Sequence, residues 1–592
     1  MKRRFQFQFL VGVGALVLAA GAGSPVRAQA PAPEDLIHGV ARISLMEGEV
    51  SVRRGDSGEW VAGVINAPLL TDDRIATGQN SRAEVQLDAG NVLRIGGNAE
   101  IHLALLETGR YHVEVARGTV TYRIRQSRAD VELNTPSVSV RPAREGVFRI
   151  SVSETAESEI TARSGDVEVF SPKGTQWVYA GQTMMARGSS TDPEFQIVNA
   201  APEDDWDRWN QSRDSAGQSN SSQYVPQGVP GTEDLDAAGT WVYVAPYGYV
   251  WRPTGVAAGW APYRNGRWVW VNWYGWTWVS ADPWGWAPYH YGRWFFDGRW
   301  GWAWYPGALG VSAFWSPALV GFFGYGGGVG IGVGVGFGFG NIGWVPLAPF
   351  ETFRPWWGAA YAGGLNRGVN ITNVNVTAIY RNARISNGIS GMAAADFTAG
   401  RFGNVQRVSG AQVQNAGAIS GRLPLNPSVA SRRFSDRAVA NAPRSVTSGQ
   451  AAVRSGAGQG NAQAQPGYHR FGEPGMSLNN RPPQGPAGSS QRSGSMPRFG
   501  EPGRGMGAPR NDRPPSSQGG SSWRSFGSPG SSPGGGRQPY NPPQSRTGGS
   551  GSGNSTPQQR SAPRSSAPRS APSSGRPAGG RAAPPRGGKG QR

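Results

Sequence analysis

The side chains that most often carry chemistry are few in this sequence, and they do not group. The 592 residues include no cysteine, which excludes a Cys nucleophile, disulfides and Cys-based zinc or iron–sulfur sites. The five histidines offer no HExxH pattern and no paired metal spacing: His38, His102, His112, His290 and His469. Asp72, Asp73 and Glu145 could serve acid–base chemistry, but adjacent acids in a turn before a strand are usually turn formers. We expect no catalytic residue, no metal site, no cofactor and no enzymatic activity.

Aromatic residues form the densest chemical pattern. Between Trp241 and Trp315 there are 15 Trp in 75 residues. The run Trp260-Ala261-Pro262-Tyr263 recurs 26 residues later as Trp286-Ala287-Pro288-Tyr289, and a Gly-x-x-Trp element recurs in step. Self-similarity at a fixed period is typical of stacked supersecondary units. We predict three units, each of two short strands, with Pro-Tyr-x-x-Gly forming the turn between them.

These rings have two alternative roles. In a Trp-x-Trp strand both rings lie on one face, and each buried ring removes roughly 150–250 Å² from water, so the rings can build a core. If exposed, they would form platforms for sugar rings or cell-wall glycans. The candidate platform or core residues are Trp260, Tyr263, Trp268, Trp276, Trp278, Trp286, Tyr289, Trp294, Trp302 and Trp304.

Short strands are predicted upstream of the aromatic region, over residues 36–200. Apolar and polar residues alternate there with period two, as in Val120/Tyr122/Ile124 and Phe148/Ile150/Val152. Glycine, asparagine and proline separate the runs, and no 3.6-residue period competes. This pattern favours half-buried β-strands.

Several ordered motifs in this region carry a family resemblance. Leu70-Thr71-Asp72-Asp73-Arg74-Ile75-Ala76-Thr77-Gly78, Asn134-Thr135-Pro136 and Gly165-Asp166-Val167-Glu168-Val169 resemble the FecR-type domain. FecR is a periplasmic sensor that passes an outer-membrane signal to a cytoplasmic sigma factor. The resemblance does not reach the sigma-binding part, so it implies an exported all-β interaction domain, with a periplasmic signalling component as an alternative.

The aromatic region resembles the DUF6600 type of region, which often follows a FecR-like domain. The matching residues are Asp207-x-Trp209-Asn210-x-x-Arg213, the two Trp-Ala-Pro-Tyr runs and Trp344-Val345-Pro346-Leu347-Ala348-Pro349. That family has no assigned function, so the resemblance implies architecture alone.

The amino terminus has the three-part layout of a secretory signal peptide. Basic residues at Lys2-Arg3-Arg4 precede an apolar run of about 12 residues and a small-residue stretch, which favours cleavage after Ala28. The run is shorter than the roughly 20 residues of a membrane span. We expect an exported protein, in the periplasm or at the outer-envelope surface, with no integral span after cleavage.

The excess of positive over negative charge lies in the last third of the chain. Residues 401–592 hold 26 Lys+Arg and 4 Asp+Glu, whereas the whole chain has a net charge of +19. This Gly/Ser/Pro/Arg-rich segment is too poor in apolar residues to offset chain entropy, so we predict a disordered tail. Anionic envelope polymers or lipid phosphates are its candidate partners, and export disfavours nucleic acid.

The sequence as a whole predicts an all-β protein in ordered segments. They are a signal peptide at 1–28, a FecR-like β domain at 36–200, a Trp-rich repeat domain at 203–360, a transitional segment at 361–400 and the tail at 401–592. The expected function is binding or scaffolding in the envelope, with a protein or glycan partner. Glycan or cell-wall binding and FecR-like signalling remain alternatives.

Overall fold

The computed structural model describes residues 38–125, 129–327, 339–357, 370–439 and 467–472. All of these lie in the first of the two units into which the chain divides, Met1–Ser489. The predicted signal peptide with its cleavage site at Ala28, and most of the predicted tail, lie outside the described residues.

Strands dominate the first part of the described chain. They are β1 (Ala41–Glu47), β2 (Val50–Arg53), β3 (Trp60–Ala62), β4 (Pro68–Leu69), β5 (Arg74–Thr77), β6 (Arg82–Gln86), β7 (Asn91–Ile95), β8 (Glu100–Glu107), β9 (Arg110–Ile124), β10 (Asp130–Asn134), β11 (Ser139–Pro142), β12 (Gly146–Val152), β13 (Ser158–Ser164), β14 (Val167–Ser171), β15 (Gly174–Val178), β16 (Gln182–Ser189) and β17 (Asp192–Asn199). The predicted all-β fold is confirmed. In β12, buried and half-buried residues alternate strictly, as the period-two pattern requires.

These strands form two sheets that share the long strand β9. Hydrogen-bonded neighbours follow the order β3-β2-β5-β8-β9-β10-β11-β14-β15 in one sheet. The other sheet has the order β4-β1-β6-β7-β9-β12-β13-β16-β17. Only β9 and β10 pair in parallel among them. Strand β9 leaves the first sheet and enters the second at Gly118. This position requires glycine, because its φ is +83° and a Cβ would lie 2.5 Å from the Ala99 backbone.

Helical segments are short and lie outside this strand region. They are α1 (Asp205–Ala216), α2 (Leu235–Ala238), α3 (Trp286–His290), α4 (Val376–Ile379) and α5 (Ala394–Thr398), with 3-10 turns at Ser221–Tyr224, Arg381–Arg384, Phe402–Asn404, Gly410–Val413 and Ala430–Arg432. Helix α1 begins with a capping box, in which Asp204 and Asp207 each accept a hydrogen bond from the other's backbone N–H.

The tryptophan region consists of three hairpins, which confirms three units of two strands each. They are β18 (Gly239–Val244) with β19 (Gly248–Pro253), β20 (Gly266–Val271) with β21 (Gly275–Ser280), and β22 (Arg293–Asp297) with β23 (Gly301–Tyr305). The predicted turn is wrong. The turns within the hairpins are at 245–247, 272–274 and 298–300. The Pro-Tyr elements at 262–263 and 288–289 lie instead in the connections between successive hairpins, before β20 and before β22.

A third sheet follows and extends beyond the predicted start of the tail. Its strands are β24 (Val320–Tyr325), β25 (Asn341–Pro346), β26 (Asn370–Val374), β27 (Ser390–Ala393), β28 (Gln406–Arg407) and β29 (Ala416–Ser420), in the order β26-β29-β24-β25-β27-β28. The ordered body therefore continues past the predicted boundary at residue 401. Isolated apolar residues such as Val413, Leu423 and Phe434 are each buried in it, although the average composition there is that of a tail. A last strand, β30 (His469–Arg470), pairs with β17.

Candidate functional site: an aromatic core and an interdomain cleft

The predicted platform residues lie in the protein interior. Trp260 is partly buried, and the other nine candidates are buried, most of them with no measurable exposure. Tyr263 lies at the centre, with ring centroids of Trp278 and Tyr289 at 5.8 Å and 4.8 Å. Stacking of a sugar on these rings would require the core to open.

Indole N–H groups tie the elements of this core together. Trp344 donates to the Tyr263 carbonyl at 2.8 Å, Trp294 to the Pro288 carbonyl at 2.8 Å, and Trp304 to the Tyr291 carbonyl at 2.8 Å. These carbonyls belong to connecting segments that no strand ladder satisfies. Tryptophan combines a large apolar ring with one donor, so it can satisfy such a carbonyl while filling volume.

The two copies of Trp-Ala-Pro-Tyr adopt different conformations. The second copy forms α3, whereas Tyr263 in the first copy has a positive φ of 57°. The Tyr263 hydroxyl donates to the Tyr289 carbonyl at 2.7 Å and accepts from the Leu319 N–H at 3.1 Å. The copies therefore pack against each other, and the repeat in sequence is not a repeat in backbone structure.

Exposed aromatic rings lie elsewhere, on the outer hairpins. Tyr243 is 67% exposed, Tyr249 is 51% exposed, and the two rings form an edge-on pair on β18 and β19 with centroids 5.7 Å apart. Tyr224 packs on Tyr249 at 4.8 Å. Sequence reasoning did not single out these tyrosines, because periodicity shows which residues share a face but not which face is covered.

A cleft of about 250 Å³ lies where the β20–β21 hairpin meets the strand domain. It is lined by His38, Gly39, Arg54, Gly55, Asp56, Leu70, Thr71, Asp72, Asp73, Leu106, Asn272, Trp273 and Tyr274. The hairpin turn is fixed to the strand domain, since the Tyr274 hydroxyl donates to the His38 carbonyl at 2.8 Å and the rings of Trp273 and His38 lie 4.1 Å apart. The volume is below the roughly 300–1,000 Å³ of typical small-molecule pockets.

The two adjacent acids of the sequence have different environments in this cleft. Asp72 is at the rim, with 69% of its side chain exposed. Asp73 is buried, and its carboxylate accepts from the N–H groups of Gly55 and Leu70 at 2.8 Å and 2.9 Å. Burial raises the pKa of Asp73 to about 6, because it outweighs the opposing charge of Arg54, 4.0 Å away. These bonds make Asp73 a turn former, as the sequence predicted.

Arg54 closes the inner wall of the cleft. Only 2% of its side chain is exposed, and it donates to Asp56 at 3.0 Å and to the Arg432 carbonyl at 3.0 Å. Its guanidinium also lies over the Phe434 ring, 5.0 Å from the centroid. Residues 432–434, which were predicted to belong to the tail, therefore help to build this wall.

Helix α1 attaches to the strand domain through a buried ionic cluster. Arg94 is 1% exposed and contacts Glu84 and Asp214, each at 2.8 Å, and Arg213 reaches the same Glu84 at 2.9 Å. Burial alone would raise the pKa of Glu84, but the hydrogen bond from Arg213 and the charge of Arg94 outweigh it and lower the pKa to about 2. Glu84 is therefore ionised and paired between two arginines.

A second buried arginine joins the strand domain to the aromatic region. Arg42 has no exposed side-chain surface and contacts Glu233 at 3.3 Å and Asp234 at 2.7 Å. Its neighbour Asn66 donates to the Asp282 carbonyl at 2.9 Å, and the guanidinium lies 5.9 Å from the Trp286 ring. Sequence reasoning missed both arginines, because a charged residue in an alternating strand is expected on the solvent side.

The described residues contain no group of three His, Asp or Glu side chains arranged to hold a metal ion. Among these residues, His102 contacts only two acids, Glu114 at 2.8 Å and Asp72 at 3.5 Å, and these contacts are hydrogen bonds or ion pairs between side chains. Within the same residues, no helix has both the length and the apolar character needed to cross a membrane.

Two family models match this chain. The model described as FecR protein matches residues 73–168, and the model described as a family of unknown function, DUF6600, matches residues 232–351. The chain thus contains a FecR domain followed by a DUF6600 domain, as the motifs predicted. No curated protein matches it.

Among solved structures, two crystal structures of a protein described as an anti-sigma factor from Parabacteroides distasonis ATCC 8503, at 1.65 and 2.50 Å resolution, are similar. Each is 16% identical, with a TM-score of 0.19, and the match covers 21% of this chain and 59% of that chain.

Proposed function

We propose that this chain, which carries a FecR domain and a DUF6600 domain, is a non-catalytic component of a FecR-type signalling system in the cell envelope. The FecR match at residues 73–168 supports this alternative more directly than a general scaffolding role. The N-terminal sequence supports export to the periplasm or the outer-envelope surface.

The single observation that carries the proposal is the FecR domain at residues 73–168, and buried arginines join its strand domain to the chain that follows. Arg42, on strand β1, contacts Glu233 and Asp234 at the start of the DUF6600 domain, and Arg94, on strand β7, contacts Asp214 in the helix that precedes it. Removing one member of a buried ion pair costs about 3–5 kcal/mol, so separating the domains here is expensive. We therefore expect the two domains to stay together when a partner binds either of them.

The cleft at the junction is the proposed contact point for a protein partner. Its 250 Å³ suits one or two inserted side chains better than a whole cofactor. Asp72 and Asn272 are exposed at its rim, one from each domain. A partner bound there would contact both domains at once.

The test combines gene expression with crosslinking in intact cells. We expect deletion of the gene to change the transcripts of a defined set of envelope genes. Trp273→Gly, which keeps the positive φ of 67° accessible, should reproduce that change, whereas Tyr243→Ala on the outer hairpin should not. A photoreactive residue at position 272 should give a discrete protein adduct, and one at position 243 should not. An unchanged transcript profile after deletion would contradict signalling.

Glycan binding stays as a second candidate because exposed rings exist at Tyr243 and Tyr249. The informative variants are Tyr243→Ala and Tyr249→Ala, since Trp286 is buried and its substitution would disturb the core. Retention of the wild-type chain on cell-wall glycan, lost in both tyrosine variants with folding intact, would favour this candidate over the cleft.

The proposed partners of the basic tail are anionic envelope polymers or lipid phosphates. The tail carries the excess positive charge of the chain. Electrostatic binding between exposed charges is screened by salt, so envelope association should weaken as ionic strength rises from 0.01 to about 1 M. Association that is insensitive to salt would exclude this role.

A further inference from the structure

Strand β17 is the edge strand of its sheet, and a short segment from far along the chain covers it. Strand β30 pairs with it antiparallel, with Arg470 opposite Glu194 and His469 opposite Phe195. An edge strand offers unpaired N–H and C=O groups, to which an extended peptide can add. The edge of β17 is therefore a peptide-binding site, and the segment that contains β30 occupies it.

Side chains on both sides fix the register of that peptide. Phe471 is 3% exposed and its ring lies 4.5 Å from that of Phe195. Tyr468 packs under the guanidinium of Arg187 at 3.8 Å. Arg470 contacts Glu194 at 3.5 Å. The site thus has an apolar pocket for one aromatic ring and an acidic contact for the residue before it.

The residue after the phenylalanine must be glycine. Gly472 has a φ of +81°, and a Cβ at this position would lie 2.6 Å from the Lys173 carbonyl oxygen. Any other residue would meet both a strained backbone and a clash with main-chain atoms. Phe-Gly is therefore the pair of residues that the site selects.

The same motif recurs twice in the rest of the sequence. Arg470-Phe471-Gly472-Glu473-Pro474-Gly475 is repeated identically as Arg498-Phe499-Gly500-Glu501-Pro502-Gly503, and a looser copy is Ser525-Phe526-Gly527-Ser528-Pro529-Gly530. All three copies keep Phe-Gly, the two positions that the site requires. The residues two and three positions before the phenylalanine differ between copies. Tyr468, which lies under the Arg187 guanidinium, and His469, which pairs with Phe195, correspond to Met496 and Pro497 in the second copy and to Trp523 and Arg524 in the third.

We propose that the β17 edge is a receptor for the Arg-Phe-Gly peptide, and that Arg498–Gly503 of one chain occupies the β17 edge of a second copy. The described part of one chain has one β17 edge, whereas the sequence has three motifs, so motifs are left over for other chains. The first copy, Arg470–Gly475, belongs to the same chain as the edge that it covers. It therefore competes with motifs from other chains at a high effective concentration. Exchange between chains therefore increases when the tethered copy is removed. This inference does not depend on the proposed signalling role.

The first experiment measures binding of a labelled synthetic peptide of residues 494–503 to the full chain by fluorescence anisotropy. Phe471→Ser frees the edge, and we expect this variant to bind the peptide at least tenfold more tightly than the wild-type chain. A peptide carrying Phe499→Ser should not bind, and Glu194→Arg in the receptor should weaken binding. Equal binding to wild type and Phe471→Ser would place the peptide elsewhere and overturn the proposal.

The second experiment measures mass in solution by light scattering. Phe471→Ser should form dimers or larger assemblies at concentrations where the wild type does not, and adding Phe499→Ser and Phe526→Ser should abolish them. Assemblies that persist in the triple variant would overturn the proposal. Gly472→Val serves as a second way to release the tethered copy while its ring is kept. If both releasing variants lose the β-sheet circular dichroism signal, β30 is a structural strand that the fold requires. That result would also overturn the proposed exchange between chains.

Discussion

The FecR domain and the DUF6600 domain fill their interiors in opposite ways. The FecR strands bury Val, Ile and Leu side chains, such as Val140 and Ile150, whose backbone polar groups are satisfied by strand ladders. The DUF6600 domain has short hairpins with long connections, and it buries Trp268, Trp278 and Trp344 instead. The indole N–H groups of Trp344, Trp294 and Trp304 then satisfy carbonyls that ladders do not reach. A region with little regular structure can therefore still be well packed, provided that its large side chains also carry donors.

The largest expected effect tests the aromatic core against the aliphatic one. Trp268→Ala removes a fully buried ring that contacts Phe322 and Trp344, and should lower the free energy of unfolding by about 3–5 kcal/mol. Ile150→Val in the FecR domain should cost about 0.5–1.5 kcal/mol. Denaturant unfolding followed by Trp fluorescence and circular dichroism measures both. Similar costs for the two variants would mean that the ring is loosely packed.

The junction between the domains gives the next effect. Arg94→Met leaves Glu84 and Asp214 without their shared buried partner and should cost about 3 kcal/mol or more. The matched control is Arg110→Met, which removes an exposed pair with Glu107 and should cost less than about 1 kcal/mol. A cost as small as that of Arg110→Met would show that this ionic cluster does not hold helix α1 to the strand domain.

The pH dependence of stability distinguishes the cleft, which contains Asp73, from the ionic cluster around Glu84. The pKa of Asp73 is about 6 in the fold and near 3.8 when unfolded, so its contribution is present below pH 4 and is lost as pH rises to about 6, by up to about 3 kcal/mol. Asp73→Asn should flatten the stability curve in this window. The lowered pKa of Glu84 acts in the opposite direction, because its contribution is lost as pH falls from about 4.5 to about 2. Chemical unfolding at steps of half a pH unit provides the measurement, and an unaltered slope in Asp73→Asn would refute the assignment.

A smaller effect isolates the indole donor. Trp344→Phe leaves the Tyr263 carbonyl without its donor, which should add about 1–3 kcal/mol to the cost of the lost ring volume. Trp268→Phe is the control, since the Trp268 N–H has no hydrogen-bond partner among the described residues. Thermal unfolding should therefore rank Trp344→Phe as clearly the less stable variant, and an equal loss would remove the donor from the explanation.

The smallest effect concerns the exposed rings. Tyr249→Ala on the outer hairpin should change stability by less than about 0.5 kcal/mol, because half of the side chain is already in contact with water. A large loss would show that this ring belongs to the core, and would remove it as a glycan contact.

Much of the architecture could be predicted from local patterns. Period-two alternation located β12, and the Gly-x-x-Trp elements located the second strand of each hairpin, since both signals depend on neighbouring residues alone. The connections were predicted less well. Tyr263 and Tyr289 have the same local sequence but different backbones, and their hydroxyls have different partners: Tyr263 bonds to the Tyr289 carbonyl and the Leu319 N–H, whereas Tyr289 donates to Asp282. Burial of Arg42 and Arg94 also could not be predicted, since Glu233, Asp234 and Asp214, the acids that reach them from outside the strand domain, are more than 110 residues away in sequence.

The sequence by itself determined that this protein is strand-rich, free of cysteine chemistry and built from a FecR-type and a DUF6600-type region. Those properties follow from composition and from motifs only a few residues long. Only the tertiary structure decided that the tryptophans form a core, that arginines join the two domains, and that a Phe-Gly motif of the tail covers the β17 edge. The physical reason is that burial and edge pairing depend on which distant segments meet, and no local pattern contains that information.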